Sequence, residues 1–96
     1  MTSTVRVPTA SGRRYLQQLC KHWSHKFETR FTPEHGEIAL PFGACVLDAD
    51  DEGLNVRLVP ADGADVSRFE QVVADHLARF AFRETLEFPW RREAAD

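Results

Sequence analysis

The hydrophobic period of this chain changes twice along its length, and that change limits its folds more than any other feature. From Gly12 to Phe27, residues Tyr15, Leu16, Leu19, Cys20, Trp23 and Phe27 recur at helical spacing, while Arg13, Gln17, Lys21 and His25 fall elsewhere. Between Glu28 and Pro60 the period drops to two. Ile38, Leu40 and Phe42 alternate with Glu37, Ala39 and Pro41, then Cys45 and Leu47 with Val46 and Asp48, then Leu54, Val56 and Leu58 with Asn55, Arg57 and Val59. Helical spacing returns in Val66, Phe69, Val73, His76, Leu77 and Phe80.

Punctuation between these runs supplies the connections. Thr4 to Val7 alternates as a short strand stopped by Pro8, after which Thr9 or Ser11 can cap the first helix. Glu28 to Thr32 is strand-like, and Thr32-Pro33-Glu34-His35-Gly36 has the chemistry of a turn. Gly43 breaks the next run, and Asp50-Asp51-Glu52-Gly53 suits a hairpin loop. Asp62 or Asp65 caps the second helix, whose exit is marked by Phe82 and the pair Arg83-Glu84. Leu86, Phe88 and Trp90 alternate along an extended C-terminal arm over 85–96.

Four successive strands on short turns can pair only as an antiparallel meander, because parallel pairing needs long crossovers. Two helices with one apolar stripe each are expected to cover one face of that sheet. The expected fold is therefore α+β, ordered β-α-β-β-β-β-α, an element order that resembles the TATA-box-binding-protein-like topology. Its 96 residues make one domain, 1–96.

Composition removes several functions. The formal net charge of -3 favours no polyanionic partner. The face opposite the helices would show Arg6, Arg30, Glu37, Asp48, Asn55 and Arg57, which are mixed in sign and lack an aromatic platform, so no nucleic-acid binding is expected. Met1 to Ala10 has no apolar run of the about 7–15 residues a signal peptide needs, and nothing approaches the roughly 20 apolar residues of a membrane span. With only Cys20 and Cys45, no disulfide scaffold or metal knuckle is legible, and a cytoplasmic, reduced protein with no membrane association is expected. Phosphate-loop, dinucleotide and nucleophile-elbow motifs are absent, and the acidic run Asp48, Asp50, Asp51 and Glu52 lacks the pattern of a calcium loop.

Three blocks resemble a known bacterial family, catalogued as "domain of unknown function 2218". They are Arg14 to Phe27 (RYLQQLCKHWSHKF), Pro41 to Cys45 (PFGAC) and Val72 to Glu84 (VVADHLARFAFRE). The resemblance spans nearly the whole chain. It implies a setting in bacterial iron and siderophore metabolism, beside flavin-type siderophore-interacting reductases.

The residues that could carry chemistry are few. His22 and His25 stand i, i+3 on the first helix and could share a metal, although the simpler reading is two solvated imidazoles on a helix rim. His76 interrupts an apolar stripe. Its ordinary role there is a hydrogen bond to backbone, and its functional one is to face His22 or Cys20 across the helices in a small polar site within an apolar cleft. Cys20 and Cys45 fall on apolar faces as small hydrophobes, and Cys20 points about 160° away from His22 around the helix, which disfavours a nucleophile–base pair. Trp23 is on the core side. Phe88 and Trp90 either fold back as an extra edge strand or anchor a partner chain.

The leading expectation is a non-catalytic binding or accessory module in iron–siderophore handling. Its ligand or partner surface is built from His22, Trp23, His25 and His76, with Cys20 nearby, and a ferric siderophore or siderophore-interacting reductase is the occupant. No catalytic set, metal set or cofactor is assigned. The alternatives are a small metal- or redox-dependent helper using the histidines, and a homodimeric interaction domain using Trp90 and Phe88.

Overall fold

A computed structural model describes residues 1–93. Its elements are β1 (Thr2–Pro8), α1 (Gly12–Trp23), β2 (Thr29–Phe31), β3 (His35–Leu40), β4 (Gly43–Ala49), β5 (Gly53–Pro60), α2 (Val66–Phe80) and β6 (Arg91–Glu93). The sheet is antiparallel and six-stranded, in the order β2-β3-β4-β5-β1-β6. The expected α+β architecture is present, with α1 carrying the chain from β1 to the far edge and the meander returning strand by strand to pair β5 with β1.

Register shows how the alternation builds one buried face. Ser3, Leu58, Cys45 and Ile38 lie in one row across the strands, Val5, Val56, Leu47 and Gly36 in the next, and Val7, Leu54 and Ala49 in a third. All of these are buried, while their neighbours Arg6, Glu37, Asp48, Asn55 and Arg57 are exposed on the other face. Both helices cover the buried face, α1 through Tyr15, Leu16, Leu19, Cys20 and Trp23, and α2 through Phe69, Val73 and Leu77. Eighteen hydrophobic residues among those described form this core, and its burial supplies the main driving force for folding.

Several expected boundaries move. Helix α1 ends at Trp23 rather than Phe27, because the Ser24 hydroxyl donates to the Lys21 carbonyl at 2.8 Å and competes with continuation of the ladder. Phe27 is nevertheless drawn inward by its backbone N–H, which donates to the Trp23 carbonyl at 2.9 Å. The turn after β2 is shorter than expected and His35 opens β3, with the Thr32 hydroxyl accepting from the His35 N–H at 3.1 Å. Ser11 stands at the α1 N-cap without using its side chain; instead the Thr9 hydroxyl accepts the Ser11 N–H at 3.0 Å. Of the two proposed caps for α2, Asp65 serves, accepting the Arg68 N–H at 3.1 Å.

The C-terminal arm differs most. Leu86 to Trp90 forms no strand, and the sixth strand begins only at Arg91, pairing Thr4 with Arg91 and Thr2 with Glu93. Residues 94–96 of the arm lie outside the described residues. Glu70, buried on α2, holds the arm down. Its carboxylate accepts from Ser3 Oγ at 2.5 Å and from the Arg92 guanidinium at 2.8 and 3.1 Å. Glu84 fastens the other end of α2, accepting from the Tyr15 hydroxyl and, at 2.9 Å, from Thr9 Oγ1. No described helix is long and apolar enough to cross a membrane.

Candidate functional site

Three pieces of backbone converge at one end of the helical layer. The end of α1 brings His22 and Trp23 and the turn after it His25 and Lys26, the middle of α2 brings Val72 and His76, and the end of β3 with the β3–β4 turn brings Leu40, Pro41 and Phe42. Together with Phe27 they line an open cleft of about 440 Å³. The turn is fixed by Gly43, whose φ of 139° lies in the region open to glycine and where a Cβ would sit 2.2 Å from the Val59 carbonyl oxygen. The Phe42 carbonyl accepts the Ala61 N–H at 2.8 Å, and its ring stacks on buried Phe69 with centroids 5.7 Å apart. The aromatic floor is thus rigid.

Imidazoles stand on one wall. His76 is half-buried, its ring centroid 4.8 Å from Trp23 and 5.3 Å from His22. His76 Nδ1 lies 2.7 Å from the Val72 carbonyl oxygen, four residues back on α2. A carbonyl can only accept, so Nδ1 carries the proton and Nε2 of the neutral ring keeps its lone pair. His76 thus makes the backbone bond expected of it, and its ring also lies beside that of His22 on the facing helix. His22, His25 and Lys26 are exposed on the rim. Among the described residues, none of the ion pairs involves these three side chains.

Cys20 does not join them. Its thiol is fully buried under the sheet, where a Cβ on Gly36 would approach Sγ to 2.7 Å. Burial pushes its pKa up to about 11, and burial raises Cys45 further, with Cys20 close by contributing. Neither sulfur is a thiolate at neutral pH. Trp90 and Phe88 are also remote from the cleft. They stack on each other with centroids 6.2 Å apart and, with Leu86, border a separate depression along α2. Trp90 is half-buried against the core rather than presented to solvent.

Lys26, Phe27, Leu40, Pro41, Phe42 and Val72 were not singled out from the sequence as site residues. The signal available was the Pro41-Phe42-Gly43 turn, which pattern reading took as a strand end. Elsewhere, His35 faces the open side of the sheet between Asp48 at 2.6 Å and Glu37 at 2.9 Å. Both carboxylates raise its pKa above 6.5, Asp48 the more.

An α+β domain with a helix-walled aromatic and imidazole cleft is the class this geometry defines. A family model described as an uncharacterized protein conserved in bacteria (DUF2218) matches residues 4–91, and the chain belongs to that family. It is similar to a protein of Pseudomonas aeruginosa, PA4090, solved by NMR. The two are 42% identical over 94% of each chain, with a TM-score of 0.77. No curated protein matches.

Proposed function

We propose that this domain is a non-catalytic binding module whose occupant enters the cleft between α1, α2 and the β3–β4 turn. The observation that carries this reading is the imbalance of the lining. Trp23, Phe27, Phe42, Leu40 and Val72 offer apolar wall, His22, His25, Lys26 and His76 offer polar or cationic groups, and among the described residues no carboxylate lines the cleft. Concave apolar sites with a few convergent polar groups are where small molecules bind. The chemistry fits an anionic ligand with an aromatic or apolar body. Buried, protonated thiols and the lack of a nucleophile–base pair weigh against covalent catalysis.

The resemblance to a family linked with siderophore-interacting reductases suggests the biological occupant: a ferric siderophore, or the surface of such a reductase. Amide NMR titration tests this. Addition of either should give saturable shifts centred on Trp23, Phe27, Phe42 and His76, weakened in Lys26→Ala. Flat titrations against both would end the proposal. A homodimer anchored on Trp90 draws less support, since that ring is already engaged with Phe88 and the core.

A further inference from the structure

We infer that His22 and His76 form a two-imidazole site for a late first-row divalent cation of the zinc or nickel class. The inference stands on these two side chains alone and does not need the small-molecule reading of the cleft. They come from different helices and are 54 positions apart in the 96-residue sequence (76 minus 22), brought together by the packing of α1 against α2. Their ring centroids are 5.3 Å apart. Imidazole nitrogens bind zinc at about 2.0–2.1 Å, which places each ring centre about 3.2 Å from the ion. Two such rings at a tetrahedral angle then have centres roughly 5.2 Å apart. The observed spacing is that of a pair able to share one ion.

Orientation supports the same conclusion. Metal-binding histidines characteristically donate their second ring N–H to a carbonyl or carboxylate, which fixes the tautomer and strengthens the ligating nitrogen. His76 already makes that bond, from Nδ1 to the Val72 carbonyl at 2.7 Å, leaving Nε2 as the free donor. Its ring is steadied on the other side by Trp23 at 4.8 Å. Much of the ordering cost of a ligand is therefore met before an ion arrives. His22, exposed on the facing helix, closes the pair with little to displace but water.

Among the described residues no group of three or more His, Cys, Asp or Glu side chains is placed to hold an ion. The protein thus contributes two nitrogens, and the remaining coordination positions stay open to water or to a small chelating anion. Two neutral imidazoles in an open site favour the nitrogen-seeking end of the first-row series over magnesium or calcium. Affinity from two protein ligands should be modest.

The test uses the intact protein and zinc chloride alone, followed by imidazole proton NMR and by thermal melting. Zinc should shift the His22 and His76 ring signals saturably at one ion per chain, raise the melting temperature, and be reversed by EDTA. His22→Gln, at an exposed position that does not threaten folding, should weaken binding by at least about tenfold, while His25→Gln should leave it intact. The inference is overturned by unsaturable or absent shifts, by zinc binding that survives His22→Gln, or by binding lost in His35→Gln instead. A positive zinc titration with flat siderophore and reductase titrations would retain this site and reject the binding-module reading.

Discussion

Ser3→Ala isolates the fastening that holds the C-terminal arm and α2 to the first strand. Ser3 is fully buried, and its hydroxyl donates to Glu70 Oε2 at 2.5 Å, while Arg92 supplies the other donors to the same carboxylate at 2.8 and 3.1 Å. A hydrogen bond to a charged group contributes about 1.5–3 kcal/mol net, and because Glu70 keeps both Arg92 contacts the lower end, about 1.5 kcal/mol, applies. At about 2.1 cal/mol/K per residue, unfolding this chain releases roughly 0.2 kcal/mol/K, so the melting temperature should fall by about 7 °C. The pH dependence gives a second readout. The Arg92 guanidinium first, and Ser3 after it, hold the Glu70 carboxyl below 4.5 against the opposing effect of burial. A depressed carboxylate contributes stability that is complete above its unfolded pKa and lost as pH falls through its folded one. The gap between wild type and Ser3→Ala, measured by urea titration, should therefore be full at neutral pH and narrow below 4.5. An unchanged melting temperature at neutral pH, or a gap that widens on acidification, would refute the reasoning.

Gly43→Ala should cost more than about 2 kcal/mol in urea unfolding, because a Cβ there meets the Val59 carbonyl at 2.2 Å in a conformation open to glycine; wild-type stability would contradict the account of the β3–β4 turn. Cys20 and Cys45 should resist an aryl disulfide reagent at about pH 8 in the native state and react only in urea, with burial holding Cys20 at about 11; rapid native labelling would show that the thiol is not enclosed. His35 should titrate above 6.5, because Asp48 and Glu37 stabilise its protonated form. A raised histidine contributes stability that is complete below its unfolded pKa and lost as pH rises through the folded one, so His35→Gln should flatten the pH dependence of unfolding from 6.5 upward. A ring signal titrating at or below that value would remove the carboxylate clamp.

The architecture was largely legible because periodicity reports which side of each element faces a core. The inward set Val5, Val56 and Leu47 follows from alternation, whereas Gly36, read as part of a turn, completes their row only because β3 begins at His35. The arm was not legible for the same reason. Leu86, Phe88 and Trp90 alternate as a strand would, yet they form no strand and border a depression along α2, and β6 forms only where Arg91 to Glu93 reaches the free edge of β1. Alternation shows which side is apolar; it does not say whether a pairing edge lies within reach. Glu70 is the clearest omission. It stands four residues after Val66 and three before Val73, on the buried side of α2, and a carboxylate in that position demands donors from elsewhere in the fold.

The histidines show what separates a pattern from a site. His22 and His25, three positions apart on one helix, offered a pair or two solvated rim imidazoles, and His76, flanked by apolar residues, offered a core histidine or one that faces His22 or Cys20. In the fold His22 pairs with His76, since the close packing of α1 against α2 matters more than spacing along either helix. Elsewhere on the surface polar groups are largely spent on each other: Arg6 on Asp50 and Asn55, Arg13 on Glu34 and Asp51, His35 on Asp48 and Glu37. Ion pairs of that exposed kind contribute little to stability and occupy the groups that make them. At the cleft, Lys26, His22 and His25 enter no ion pair among the described residues, beside aromatic walls already held in place by Gly43 and Phe69. Unspent donors next to preorganised apolar surface are what a binding site needs in advance of its ligand, and this end of the helical layer combines both.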